Sequence, residues 1–437
     1  MKPQQGFAAL LMMVLVAVGV FGAMAAWVAS EPPPSKQSIN HQVLLQAKEA
    51  LLAYVALGSD PANMLVQRTR LPCPDRDGDG IADMTPDIGN CGLARQTAVG
   101  LLPWKSLGLP PLRDADGECL WYAVSGDFKD ASDPTATTAV NADTDGMITV
   151  STEAGQSLAT KLVAVIFAPG AKRSVQARRD PATLRADMPC ATPNKVAAAD
   201  SDGYLELGNA LAPASTPIDA GIVLAPTVFM QSAGTVDKQS RLNDQLAWIT
   251  ADDYAATATQ RNAEVLLQAL IQGSVAAGDR LPFAAATPGA VCEQGRYSGF
   301  LPLNCSSTTL DTSGNPLTRT FTLGAAQAML DKWPQQAFYA VTPGCTLDAA
   351  TCSATTGAAL TVSGKPPVKA VLVMRGRPQA TQTCLSSIAT YTDWLSCVES
   401  QANRNELSKT PGEPAQARTF LTPGNRPVSN DILKELP

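Results

Sequence analysis

Histidine is almost missing from this chain: His41 is the only one in 437 residues. Any mechanism with an imidazole base would depend on that single side chain and would need a pocket around it. The patterns G-x-S-x-G, H-E-x-x-H and S-x-x-K are absent, as is a phosphate loop, so no familiar hydrolytic or phosphate-handling site is legible. The sequence therefore reads as non-catalytic. Charged residues make up only 16% of the chain and the net charge is −6, which leaves no basic patch for nucleic acid. No C-x-x-C pair occurs, which argues against a zinc site built from thiolates.

Hydrophobic residues reach 45%, enough for well-formed cores, and 32 Gly with 33 Pro imply many loops and short strands. The ten cysteines are Cys73, Cys91, Cys119, Cys190, Cys292, Cys305, Cys345, Cys352, Cys384 and Cys397. An even count in a chain of this kind reads as disulfides made in an oxidising compartment. Short closed loops favour Cys292–Cys305, Cys345–Cys352 and Cys384–Cys397. For the first half, Cys73–Cys91 with Cys119–Cys190 is one of several connectivities that the spacing allows.

From Phe7 to Ala29 the sequence carries no charged or strongly polar side chain. As a helix at about 1.5 Å per residue the run would measure roughly 34 Å, long enough to span a hydrocarbon core of about 30 Å. Lys2 ahead of it places the start in the cytoplasm and the remainder outside. The small residues Ala23, Ala25, Ala26 and Ala29 could instead mark a cleaved signal, and an uncleaved signal anchor also fits. Glu31-Pro32-Pro33-Pro34 must end any helix, because proline lacks the N–H and clashes with the preceding turn.

A short basic leader ending in Gly6, then Phe7 and an unbroken apolar segment, resembles the type IV prepilin class, which includes the pseudopilins of type II secretion. The resemblance implies cleavage after Gly6 and methylation of Phe7 by a prepilin peptidase. It also implies an inner-membrane assembly platform as partner, and packing against other pilins or pseudopilins through the N-terminal helix. Leu11 stands where the major subunits of that class carry a glutamate. Minor, tip-initiating subunits share that departure, so the resemblance points to a tip position. The location it implies is a single-pass inner-membrane protein with its head in the periplasm or on the cell surface. A signal-anchored periplasmic or surface binding protein without a filament role is the other reading.

Short strings recur in the same order along the two halves. Val43-Leu44-Leu45-Gln46-Ala47 returns as Val265-Leu266-Leu267-Gln268-Ala269, and Arg70-Leu71-Pro72 as Arg280-Leu281-Pro282. Gly100-Leu101-Leu102-Pro103 returns as Gly299-Phe300-Leu301-Pro302, and Tyr122-Ala123-Val124 as Tyr339-Ala340-Val341. Leu162–Ile166 is echoed by Val368–Val373, and Asn243-Asp244 by Asn430-Asp431. A diverged tandem duplication is expected. The implied class is α+β: an N-terminal transmembrane helix followed by two pilin-like heads, each a helix packed on an antiparallel sheet. The corresponding segments are a leader at 1–6, the spanning helix at 7–29, a Pro-rich linker at 30–37, and heads at 38–249 and 250–437. Helices are expected from near Ser38 and, capped by Thr250 with Asp253, to about Ala277.

Asp75-x-Asp77-x-Asp79-Gly80-x-x-Asp83 sets carboxylates at alternate positions with a glycine at the sixth, as calcium loops do. Position twelve, where an EF-hand wants an acid, is Pro86. Calcium is thus a candidate cofactor at Asp75, Asp77, Asp79 and Asp83, while solvated turns would leave the same pattern. Asn141-x-Asp143-x-Asp145 and Asp200-x-Asp202-Gly203-x-x-Glu206 repeat it more faintly. The matching place in the second half, Leu281–Ala286, has no acid.

Overall fold

The computed structural model describes residues 35–57, 70–83, 97–129, 140, 144–174, 176–179, 189–190, 201–209, 222–223, 227–231, 242–310, 313–327, 337–377, 391, 395–398, 400–409, 417–422 and 431–437. Leader, apolar run and Pro-rich linker, with Gly6, Phe7 and Leu11, lie outside them.

Helix α1, Lys36–Leu57, presents Asn40, Leu44, Ala47, Leu51 and Val55 as one buried face. These positions recur every three or four residues, the spacing of one helical stripe. That face lies against a seven-stranded sheet with the order β5-β1-β2-β4-β3-β6, β7 pairing with β4 off this path. Its strands are β1 Thr97–Leu101, β2 Trp121–Val124, β3 Ile148–Thr152, β4 Ser157–Ala168, β5 Ile222–Val223, β6 Thr227–Gln231 and β7 Gln245–Thr250. The first half of β4 pairs with β3, while its second half carries β2 and β7.

Strand β2 is buried throughout, and its residues alternate between two cores. Tyr122 and Val124 face α1 with Leu44, Leu51 and Ile166, whereas Trp121 and Ala123 face the opposite layer with Phe167, Phe229 and Tyr204. A strand covered on both faces reads as a continuous apolar run, which is why Trp-Tyr-Ala-Val lacks polar alternation. The opposite layer contains the short helix α2, Ser201–Tyr204, and the chain around it.

The second sheet repeats this plan. Strands β8 Ser298–Phe300, β11 Ala337–Val341, β13 Ala370–Met374 and β15 Ile432–Leu436 form a sheet in the order β15-β13-β11-β8. Helix α3, Ala251–Ala276, covers one face through Ala263, Leu266 and Leu270, which meet Tyr339, Val341 and Leu372. Phe338 and Ala340 point the other way, into Phe300, Val371, Leu407 and Phe420. Leu407 belongs to α4, Gln401–Ser408. Beside it β12, Leu360–Val362, pairs in parallel with β14, Arg418–Phe420, just as β3 pairs in parallel with β6. The hairpin β9 Asn304–Leu310 and β10 Pro316–Thr322 is inserted between β8 and β11.

The repetition extends to single hydrogen bonds. The Leu71 amide donates to the Phe128 carbonyl at 2.7 Å and the Leu281 amide to that of Cys345 at 2.8 Å. Asp75 exchanges two backbone bonds with Leu101, and Ala285 exchanges the same two with Phe300. A side chain at Gly100 would meet the Asp75 carbonyl at 2.7 Å, and one at Gly299 the Ala285 carbonyl at 2.3 Å, so both strands need glycine at this crossing.

Two expectations are corrected. The sheets are not simply antiparallel with one helix each: the first is mixed, a parallel pair also edges the second unit, and each sheet has a layer on both faces. The reason is the long return after β4 and after β13, which brings the chain over the far face and lays a strand parallel to β3 or β12. The transmembrane and prepilin reading is corrected as well. Among the described residues there are four α-helices, none long and apolar enough to cross a membrane. The helix entering the first sheet, α1, has an exposed face carrying Gln42, Gln46 and Glu49.

Between the units, α3 opens inside the first. Thr250 caps it in a reciprocal capping box with Asp253, and Ala251, Tyr254 and Ala258 complete the α1-side core. Asp253 also pairs with Lys48 of α1 at 2.9 Å. Arg377, beyond β13, reaches back to pair with Asp145 and, at 2.9 Å, with Asp252, and donates to the Thr144 carbonyl at 2.9 Å.

Candidate functional site

The acidic loop is built by its own carboxylates. Asp75 is fully buried beside β1. Its Oδ1 accepts from the amides of Asp77 at 3.1 Å and Gly78 at 2.7 Å, and its Oδ2 from that of Gly80 at 2.7 Å. Asp77 Oδ1 accepts from the Asp79 amide at 3.1 Å, and Asp79 Oδ1 from the Ile81 amide at 2.7 Å. Each alternate acid thus closes a turn onto the residue two places on, which an aspartate does readily. Asp83 Oδ2 returns to the Arg76 amide at 2.7 Å. Gly80, at φ +88°, lies under the indole of Trp104, where a Cβ would stand 2.3 Å from the ring.

Asp75, Asp77 and Asp83 each offer an oxygen, all within 4.8 Å of one another, while Asp79 is outside the group. Burial pushes the Asp75 carboxyl up to about 7 despite the Gly78 and Gly80 amides that favour its charge. Burial also raises Asp83. Three converging oxygens suit a hard cation in kind. Against this, Asp75 already receives three N–H donors, so the spare capacity lies on Asp77 and Asp83. In the second unit Ala285 occupies the place of Asp75 with the same backbone pairing and no carboxylate.

The fainter acidic patterns resolve differently. Asn141, Asp143 and Asp200 lie outside the described residues. Asp145 pairs with Lys161 at 2.7 Å and with Arg377. Asp202 is exposed on α2, whereas Glu206 is buried and faces Asp244. Sequence reading named Glu206 as the end of a faint acidic pattern but missed its meeting with Asp244, although the echo of Asn243-Asp244 in Asn430-Asp431 marked the position. It also missed Arg178, whose guanidinium donates to the carbonyls of Gly170 at 2.7 Å and Gly203 at 3.0 Å. Arg178 pairs with Glu118 at 3.1 Å and lies over the Tyr204 ring. His41 is exposed on α1.

Disulfides join Cys119 to Cys190, Cys292 to Cys305 and Cys345 to Cys352. Cys73 and Cys397 are also disulfide-bonded, while Cys91 and Cys384 lie outside the described residues. Among the described residues no cysteine is free.

Compared with known proteins, the chain matches no family model, no curated sequence and no solved structure.

Proposed function

We propose that this chain is a non-catalytic subunit of the minor pilin or pseudopilin type. It would act at or near the tip of a type IV pilus or a type II secretion pseudopilus, with other pilins or pseudopilins as partners. The observation that carries this reading is the doubled, disulfide-bonded body: two sheets of one strand plan, with bridges in both. Such a body is suited to an oxidising compartment and to presenting surface outside the cell. The bridged body would lie beyond the cytoplasm, in the periplasm or on the surface.

A second reading is a signal-anchored periplasmic or surface binding protein with no filament role. Deleting the chain and scoring piliation and secretion separates the two. Loss of either supports the filament subunit; normal filaments and secretion support the binding protein. A calcium ion on Asp75, Asp77 and Asp83 belongs to the same proposal. Calcium should then raise the melting temperature of the purified protein, and no rise removes the ion.

A further inference from the structure

A second buried acidic centre joins the far layer of the first unit to the end of its sheet. Asp244 is fully buried just ahead of β7, and Glu206, also buried, follows α2. Asp244 Oδ2 accepts from the Glu206 amide at 3.1 Å and from Asn209 Nδ2 at 2.9 Å. Glu206 Oε1 accepts from Gln176 Nε2 at 3.0 Å and its Oε2 from the Asn243 amide at 2.9 Å. The two buried carboxyl groups are neighbours, since Asp244 takes the Glu206 amide, and burial followed by the Glu206 charge holds Asp244 well above its ordinary range. Asp244 Oδ1 is buried with no donor aimed at it.

Two carboxylates cannot make that contact while both are charged; one must supply a proton. Arg173 stands near Glu206 and favours its charge, together with the Asn243 amide. Among the described residues, the donors to Asp244 are the uncharged Asn209 amide and the Glu206 backbone N–H, and no cation pairs with it. Of the described charged groups of this layer, Arg178 pairs with Glu118, and Asp202 is exposed. The proton therefore belongs on Asp244.

We propose that Asp244 Oδ1 carries a proton donated to Glu206, and that this proton is a pH-sensitive latch on the far layer of the first unit. What it latches is visible in the neighbouring bonds. Asn209 exchanges two hydrogen bonds with the backbone of Met230 in β6, at 2.8 and 2.7 Å, and is itself held by Asp244. Loss of the proton leaves two facing buried carboxylates and loosens the tie from β7 through Asn209 to the edge strand β6.

The second unit makes a matching clamp. Asn403 exchanges two bonds with Leu421, at 2.9 and 2.8 Å, and Asp431 takes the amides of Gly376 at 3.2 Å and Ser400 at 3.4 Å. Ser400 stands where the first unit has Glu206, and its side chain carries no carboxyl group.

The sign of the effect follows from the raised carboxyl. Its folded form holds a proton that the unfolded chain has already released, so stability falls as pH rises above the ordinary aspartate range. Asp244→Asn keeps an oxygen for the Glu206 and Asn209 donors and supplies a permanent N–H to Glu206. The expected result is a melting temperature that drops more with pH in the wild type than in Asp244→Asn, over about pH 5 to 9. Equal slopes would overturn the latch. In the wild type, hydrogen exchange at the Glu206 and Met230 amides should lose protection with rising pH relative to Ser400 and Leu421. Parallel behaviour of the two sets would also overturn it. So would recovery of the alkaline loss by an added divalent cation, which would mark a metal site instead.

Discussion

Tyr122 and Tyr339 make the same bond in the two units: each buried hydroxyl donates to a proline carbonyl, of Pro72 or Pro282, at 3.2 Å. Each tyrosine lies in the central strand pair of its sheet and fastens the incoming Leu-Pro segment under the helix. Burial raises the Tyr339 hydroxyl well above its ordinary range, which keeps it a donor at all working pH values. Tyr122→Phe and Tyr339→Phe should each cost about 0.5–1.5 kcal/mol. Urea unfolding of the two variants should give closely similar losses, and a strongly unequal pair would show that the bonds are not equivalent.

The Asp75 carboxylate holds three backbone amides of its loop. Asp75→Ala should leave those buried donors unsatisfied and lower stability by about 1–3 kcal/mol. Ala285→Asp, placing an acid at the matching position of the second unit without the Asp-Gly loop, should also destabilise, since a buried charge would then lack donors. Chemical denaturation of both variants checks this.

Loop size orders the disulfides. Cys119–Cys190 closes a separation of 71 residues and Cys345–Cys352 one of 7. On chain-entropy grounds the first should contribute about 4 kcal/mol and the second about 2. Replacing each pair by serine and measuring unfolding should reproduce that order.

Lys129 is buried after β2, and burial lowers its amine to about 8. A depressed ammonium means that the folded protein releases a proton which the unfolded chain keeps until about 10.4. Stability from this group therefore grows as pH rises from about 8 toward 10.4. Lys129→Met should flatten that part of the stability profile, measured by thermal melts across the range.

Arg377 bridges the two units through Asp145 and Asp252. Burial works against the charge of Asp145, but Lys161 and Arg377 hold its carboxyl below the ordinary value. Its contribution is present above the unfolded value and fades as pH falls through the lowered one. Both acids are partly exposed, so Arg377→Ala should change stability by less than about 1 kcal/mol. Limited proteolysis near Thr144 should accelerate nonetheless, because its carbonyl loses the Arg377 donor.

The helices were legible because their signals are local. The stripe of α1 and the Thr250–Asp253 cap of α3 need only a few neighbouring residues. Recurring strings such as Arg70-Leu71-Pro72 and Arg280-Leu281-Pro282 marked positions that the structure places in like surroundings. The parallel pairs were not legible, since β3 meets β6, and β12 meets β14, only through long returns with no periodic signature. Asp75–Asp83 was visible as a pattern, yet the pattern could not tell turn closure from metal coordination. The meeting of Glu206 with Asp244 stayed hidden because it depends on the far layer folding back, and nothing in either local sequence announces the other.

Tyr254 and Ala258 fill the first core although they belong to the helix that opens the second unit. During synthesis, then, the earlier body stays ajar until the ribosome has released the opening turns of the later one. A chain halted at Thr250 would emerge with a gap under α1, and the two bodies should mature as successive stages of a single event rather than as independent pieces.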